Sequence, residues 1–194
     1  SACAGADIVI TTANSVRRGG DNTVEAVDVN GTRALIDSAR EAGVDRFVYT
    51  SVWGASMESP IALVRAKAES EAHLKASGLT WTVLAPNAFM ESWPGVVVGA
   101  PAVAGREVVI VGEGRRRHAF VAEHDVAQFA VAAVTNDAAR DRHLAIGGPD
   151  AVTWLDVVRT YEEALSRPIP VRHVAPGEAV PGVPPEVLPL LAAY

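Results

Sequence analysis

Three short polar segments of the sequence could contact a small ligand, and each follows an apolar run. They are residues 11–14 (TTAN), 50–54 (TSVWG) and 85–90 (APNAFM). Their hydroxyl groups, small side chains and free backbone groups suit a ribose and a nicotinamide ring. Each segment taken alone is better explained by polar residues that merely end a strand.

Two polar residues stand in predicted helices between these segments. Lys67 could contact a ribose, or it could pair with Glu71 one turn later on a solvated helix face. Asn30 is unfavourable inside a helix, which suggests a structural hydrogen bond near the site.

Alternating strands and helices must position these residues. Residues 7–13 (DIVITTA) are apolar and rich in β-branched side chains, which predicts a strand buried on both faces. Asn22 is the expected cap of the next helix, with Glu25 reaching back to it, and Gly43 suits the helix end. Further strands are predicted over 46–52 and 81–85, with a helix over 61–77 between them. This order indicates an α/β fold built on a doubly wound parallel sheet.

The second half of the chain is less regular. The predicted elements are a strand over 108–111, a helix from Asp125, a strand over 143–146, a Gly-Gly-Pro turn, a helix capped by Thr153 with Asp156, a strand over 170–174, a Pro-rich loop over 176–189, and the start of a helix over 187–194.

Composition narrows the class of protein. The chain has 194 residues, is 49% hydrophobic and carries a net charge of −6, so we expect no nucleic acid or membrane partner. No apolar stretch is long enough to span a bilayer and no leader opens the chain. A single cysteine, Cys3, fits a cytoplasmic protein. His118, His124 and Asp125 lack the spacing of metal ligands, and no nucleophile elbow is present.

The order of these segments resembles the NmrA-like group of NAD(P)-binding proteins, which are atypical short-chain dehydrogenase/reductases. The matching stretches are VDVNGTRALIDSAREAGVDRFVYTSV, AKAESEAHLKASGLTWTVLAPNAFME, GEGRRRHAFVAEHDVAQFAVAAV and IGGPDAVTWLDVV. The resemblance implies a Rossmann-like fold and NAD or NADP as cofactor, with NADP slightly favoured. It also implies two βα units before Ala6, carrying the GxxGxxG phosphate loop.

The resemblance therefore predicts a single domain that is incomplete at the N-terminus and at the C-terminus. Residues 1–90 would form its cofactor-binding part, and residues 91–194 would mostly form the substrate pocket, a small α/β portion. The predicted cofactor contacts are Thr12, Ala13, Asn14, Thr50, Ser51, Val52, Lys67, Pro86, Asn87 and Phe89.

One position departs from the pattern of the reductases in this superfamily. They carry a proton-donating Tyr four residues before the Lys, and here that residue is Leu63. Tyr49 is the nearest substitute, but a half-buried strand residue explains it better. Lys67 and Ser51 remain the candidates for a catalytic role.

Aromatic residues predict the walls of a substrate pocket. Trp53, Phe89, Trp93 and His118 are the candidates, while Met90 and Phe120 fit core packing equally well. The triplet Arg115–Arg117 is typical of a solvated turn, with a subunit interface or an anionic ligand as the other options.

Three functions stay open at this stage. The first is an oxidoreductase that transfers hydride between nicotinamide and a small carbonyl, quinone or enone compound. The second is a non-catalytic NAD(P)(H) sensor that signals through a partner protein, and the third is a structural remnant. A homodimer is compatible with each.

Overall fold

The computed structural model describes residues 3–16, 18–183, 185 and 188–193. The chain divides into two compact units. The first contains Ser1–Pro86 and His124–Ile146, and the second contains Asn87–Glu123 and Gly147–Tyr194. The chain thus returns to the first unit after the predicted boundary near residue 90.

The strands are β1 (Ile8–Thr11), β2 (Arg46–Thr50), β3 (Trp81–Pro86), β4 (Val108–Val111), β5 (Arg117–His118), β6 (Arg142–Ile146), β7 (Val152–Thr153) and β8 (Val171–Val174). The helices are α1 (Thr32–Glu41), α2 (Ala62–Ala76), α3 (Ala100–Val103), α4 (Glu123–Thr135), α5 (Trp154–Leu165) and α6 (Leu188–Ala193). Two π-helical segments, Val24–Gly31 and Gly95–Gly99, lead into α1 and α3, and a 3-10 turn covers Asp137–Ala139.

A four-stranded sheet in the order β1-β2-β3-β6 forms the centre of the first unit. Every neighbouring pair is parallel. The carboxyl ends of the strands therefore lie along one edge, and the predicted parallel α/β fold is confirmed.

Strand β1 is not buried on both faces, so that prediction is wrong. The side chains of Ile8 and Ile10 are 38% and 45% exposed, whereas Thr11 is buried. Ile8 and Ile10 are two positions apart and therefore share one face of the strand, which is left open, whereas Thr11 lies on the other face. An apolar run indicates a strand, but it does not show whether both faces are covered.

The cap of the helix before β2 lies one residue later than predicted. Thr23, not Asn22, is the cap, and its side chain accepts a hydrogen bond from the Ala26 amide at 3.1 Å. Glu25 does not reach back to the cap, because its carboxylate accepts from the Asn30 amide group at 3.2 Å.

The core of the first unit lies between this sheet and α1 and α2. Ile36 of α1 and Leu74 of α2 pack against Phe47 and Tyr49 of β2, and all four side chains are almost fully buried. The buried side chains of both helices thus face the sheet.

Arg46 joins β2 to the end of α4. Its guanidinium donates to the carbonyl oxygens of Ala133 and Val134, each at 2.7 Å, and to the Asp137 carboxylate at 3.0 Å. A cation at the C-terminus of a helix is favourable because the last carbonyls lack partners within the helix. Helix α4 begins at Glu123, two residues before the predicted start at Asp125.

The second unit contains two small sheets, a parallel pair β4-β8 and an antiparallel pair β5-β7. Its core includes Ile110, Phe120 and Trp154. The predicted cap of α5 is confirmed, because Thr153 and Asp156 form a reciprocal capping box. Of the helix predicted over 187–194, residues 188–193 are helical, whereas Val187 and Tyr194 lie outside the described residues.

Within the described part of the chain, no helix combines the length and the apolar character that crossing a membrane requires. Cys3 is buried.

Candidate functional site

A buried ion pair joins α2 to the π-helical segment before α1. The Lys67 Nζ lies 3.3 Å from Asp28 Oδ1, and the two side chains are 4% and 0% exposed. Lys67 also donates a hydrogen bond to the Ala13 carbonyl oxygen, just beyond β1, at 3.2 Å. The alternative of a solvated face is wrong, because Glu71 pairs with Lys75 at 2.9 Å instead.

Asp28 holds three parts of the first unit together. Its Oδ2 accepts from the Ser15 amide at 3.0 Å, and its carbonyl oxygen accepts from the Ser70 hydroxyl at 2.8 Å. The sequence prediction missed this residue and pointed to Asn30, which is exposed and bonded only locally to Glu25 in the described structure. Asp28 is the one polar residue in an otherwise apolar segment (AVDV), and this pattern could have indicated a buried carboxylate.

Burial lowers the pKa of Lys67, while the negative charge of Asp28 and its hydrogen bond act in the opposite direction. A buried ammonium is costly unless it is paired. Asp28 therefore favours the charged form of Lys67 at this end of the sheet.

Tyr49 lies beneath the same ammonium, with its ring centroid 5.2 Å from Lys67 Nζ. The side chain is 1% exposed, not half-buried as expected, and belongs to the core. Burial raises the pKa of the Tyr49 hydroxyl well above its ordinary range. A hydrogen bond with Ser70 lowers this pKa, whereas the negative charges of Asp28 and Glu71 raise it further. Tyr49 is thus a packing residue and a poor proton donor.

Ser51 is the centre of a second polar cluster. Its hydroxyl is buried and donates to Glu71 Oε1 at 2.6 Å. Glu71 also contacts Lys75 and, at 3.3 Å, the imidazole of His143 on β6. The only proton of the Ser51 hydroxyl is therefore committed to a carboxylate in this arrangement.

The other predicted contacts of the first unit lie beyond neighbouring strands of the sheet. Thr12 and Ala13, which follow β1, are exposed. The Asn14 side-chain oxygen accepts a hydrogen bond from the Val16 amide at 3.0 Å and so stabilises the turn there. Thr50 ends β2, and its hydroxyl is buried without a hydrogen-bond partner among the described residues. Val52 is half-buried, and Trp53 is 50% exposed and donates its backbone amide to Pro86 at 2.9 Å.

The remaining predicted residues lie in the second unit. Asn87 accepts a hydrogen bond from the following amide, that of Ala88, at 2.7 Å. Phe89 forms a bridge with Val121, and its carbonyl accepts from the Trp93 amide at 2.9 Å. Phe89 and Trp93 therefore belong to one turn, in which Met90 is 44% exposed.

His118 lies in an aromatic group at the core of this unit. Its ring centroid is 5.3 Å from that of Phe120 and 6.0 Å from that of Trp154. Burial lowers the pKa of His118, and the positive charge of Arg116 lowers the pKa further. The residue is 4% exposed, so it packs in the core of this unit.

The described residues contain no group of three or more His, Cys, Asp or Glu that could hold a metal ion. The three arginines of the triplet have different surroundings. Arg117 donates to the Ala151 carbonyl at 2.7 Å, whereas Arg115 and Arg116 lie in the loop before β5.

Comparison with known proteins is consistent with these observations. An NAD(P)H-binding protein family matches residues 1–137. An NAD(P)H azoreductase of Xenophilus azovorans is 30% identical over 142 residues, which are 73% of this chain and 48% of that protein. A (4-alkanoyl-5-oxo-2,5-dihydrofuran-3-yl)methyl phosphate reductase of Streptomyces griseus is 33% identical over 138 residues, covering 68% of this chain and 46% of that protein. The chain thus spans about half the length of these relatives.

The fold is shared with an NADPH-dependent quinone oxidoreductase of Escherichia coli, solved with NADPH. The TM-score is 0.77 at 21% identity, covering 98% of this chain and 65% of that chain. Together with the family match, this likeness confirms the Rossmann-like fold and the NAD(P)-binding resemblance seen in the sequence. The chain belongs to the NAD(P)H-binding family.

Proposed function

We propose that this chain forms the nicotinamide-binding part of an NAD(P)H-dependent reductase that acts on a small carbonyl, quinone or enone compound. The observation that carries the proposal is the buried Lys67 ammonium. It is held by Asp28 and directed at the Ala13 carbonyl, beyond the carboxyl end of β1. Ligands of open parallel sheets bind at that end of the strands.

The residues at this edge fit a dinucleotide. Thr12 and Ala13 are exposed, the Ala13 carbonyl meets Lys67, and the Thr50 hydroxyl on the neighbouring strand is buried without a hydrogen-bond partner among the described residues. Ribose hydroxyls both donate and accept, so they match an ammonium and backbone carbonyls. The bound cofactor supplies the hydride.

Lys67 and Asp28 would act by positioning. Asp28 pairs with the Lys67 ammonium through one carboxylate oxygen and accepts from the Ser15 amide through the other, so it connects Lys67 to the loop after β1. A preformed donor of this kind costs little to order when the ligand binds.

The proton must come from a group other than the usual tyrosine. Leu63 has no ionisable atom, Tyr49 is buried with a raised pKa, and the Ser51 hydroxyl is engaged by Glu71. A substrate whose reduced form takes its proton from water fits this site best, which favours a quinone over a simple ketone.

The second candidate is a sensor that binds NAD(P)H without turning it over, and the leucine at position 63 favours it. The two functions differ in one assay. The full-length protein is incubated with NADPH or NADH and a panel of quinones, enones and aldehydes, and loss of the reduced cofactor is followed. A reductase oxidises the cofactor only with an acceptor present. Binding without oxidation across the panel would favour the sensor.

A further inference from the structure

A buried carboxylate connects the end of β2 with the surface of the first unit. The Glu71 side chain is 8% exposed, and Ser51, the first residue after β2, is 2% exposed. The side chain of His143 on β6, which contacts the same carboxylate, is 40% exposed. The three residues therefore extend from the strand ends, where the proposed cofactor would lie, to bulk water.

One oxygen atom of Glu71 contacts both ends of this cluster. Glu71 Oε1 accepts from the Ser51 hydroxyl at 2.6 Å and lies 3.3 Å from His143 Nε2. His143 Nε2 is also 3.3 Å from Oε2, which accepts from the Lys75 ammonium at 2.9 Å. Hydroxyl, carboxylate and imidazole thus form a continuous chain of hydrogen bonds, and Lys75 joins it from the side.

The charged and ionisable groups around Glu71 have different uses. Lys75, on the same helix, supplies the positive charge that a buried carboxylate requires. Tyr49 on β2 interacts with the Glu71 charge, but its own hydroxyl is buried and its pKa is raised. His143 is the neighbour that can exchange protons with water, and imidazole is the side chain most often used to transfer them.

We propose that Ser51, Glu71 and His143 relay a proton from water to the acceptor that the reductase reduces. The inference rests on the proposed function, in which neither Leu63 nor Tyr49 can serve as the acid. The hydrogen bond that engages the Ser51 hydroxyl is, in this reading, also the route by which its proton is replaced.

The relay balances the charge that hydride transfer creates. The acceptor gains a hydride, with its two electrons, from the reduced nicotinamide, and its oxygen becomes negative. That oxygen forms a bond to the Ser51 proton as the Ser51 O–H bond breaks. The serine oxygen regains a proton through Glu71 Oε1, His143 replaces the proton at Glu71, and water reprotonates His143. One proton from water is thus consumed for each hydride transferred.

Ser51 is the member of the relay that would touch the acceptor, whereas Glu71 and His143 act through it. Glu71→Gln keeps an oxygen that accepts from Ser51 but cannot carry a proton, and His143→Gln removes the link to water. With NADPH and 1,4-naphthoquinone, we expect each variant of the full-length protein to lose about ten-fold or more in kcat. The affinity for NADPH should stay within about two-fold, because the relay contributes to turnover and not to cofactor binding.

A double variant separates a relay from two independent structural effects. Glu71→Gln combined with His143→Gln should be no more than about two-fold slower than Glu71→Gln alone, since both residues serve one path. The matched control is His73→Gln, which removes another partly exposed imidazole bonded to a carboxylate, that of Asp37 at 3.0 Å. It should keep kcat within about two-fold of the wild type.

The outcomes distinguish the relay from the reductase proposal. Circular dichroism checks that each variant is folded, and a fluorescence titration measures its affinity for NADPH. If the wild type oxidises NADPH with the quinone and the folded Glu71 or His143 variant does so equally fast, the relay is wrong and the reductase stands. A loss of kcat in His73→Gln as large as that in His143→Gln would also overturn the relay. If the wild type binds NADPH but does not oxidise it with the quinone, the reductase proposal and the relay are both contradicted.

Discussion

The ammonium of Lys67 lies 3.3 Å from the carboxylate of Asp28, and neither side chain is more than 4% exposed. The pair connects α2 with the segment before α1 and, through Ser15 and Ala13, with the loop after β1. It is the structural basis of the candidate site, because each partner would be a costly buried charge without the other.

A double-mutant cycle tests this coupling. Lys67→Met leaves the Asp28 carboxylate buried without its cation, so we expect the free energy of unfolding to fall by about 3–5 kcal/mol. Asp28→Asn should also destabilise the protein, whereas the double variant should regain part of the loss. The measurement is urea denaturation of all four proteins. Strictly additive losses would show that the pair is not coupled.

The Ser51 hydroxyl is expected to support the fold through Glu71. Ser51→Ala removes a 2.6 Å hydrogen bond to a buried carboxylate, which should cost about 1.5–3 kcal/mol of unfolding free energy. Ser56→Ala, at an exposed loop residue, is the control and should change stability by less than about 0.5 kcal/mol. A Ser51 variant as stable as the control would contradict this role.

His118 should make stability depend on pH. Its pKa in the folded protein is lowered by burial and by Arg116, while the unfolded chain binds the proton near the ordinary value of about 6.5. The unfolded state therefore carries more protons as pH falls below about 6.5, and the free energy of unfolding falls with it. Above that pH the contribution is constant.

The pH effect is measured as the difference between the wild type and His118→Gln at pH 7.5 and pH 5. The wild type should lose more stability on acidification than the variant does. His124→Gln, at an exposed residue of α4, controls for the loss of an imidazole. Identical pH dependence in the wild type and the His118 variant would refute the assignment.

A side chain at Gly148 is expected to destabilise the protein. A Cβ at this position would clash with the carbonyl oxygen of Phe120, which is backbone and cannot turn aside. Gly148→Ala should therefore cost about 1–3 kcal/mol in thermal or urea denaturation. Gly95→Ala is the control, since its Cβ would meet only Met90 O at 3.4 Å. Equal stability of the two variants would argue against the close approach.

The sequence predicted the local features of this fold more closely than its long-range contacts. Strand β4 has the predicted bounds, and the capping box of Thr153 and Asp156 was visible because its two residues are three positions apart. The exposure of Ile8 and Ile10 was not visible, because whether another layer covers a face of β1 depends on the tertiary structure.

The candidate site, too, was predictable in its local features but not in its long-range contacts. The strand-end segments and Lys67 were readable from their order along the chain. Asp28 was missed because a lone carboxylate in a helical segment usually faces water, and its partner Lys67 lies far away in sequence. The arginine triplet looked uniform, although Arg117 is bonded to Ala151 and its two neighbours line a pocket.

The measurement that tests the central claim most directly is a fluorescence titration of the full-length protein with NADPH and with NADH. Lys67→Met is compared with Lys75→Met, a lysine on the same helix that pairs with Glu71, and circular dichroism confirms that each variant is folded. We expect the wild type and the Lys75 variant to agree within about two-fold, and the Lys67 variant to bind about ten-fold or more weakly. Unchanged affinity in the folded Lys67 variant, or no binding of either cofactor by the wild type, would contradict the proposed site.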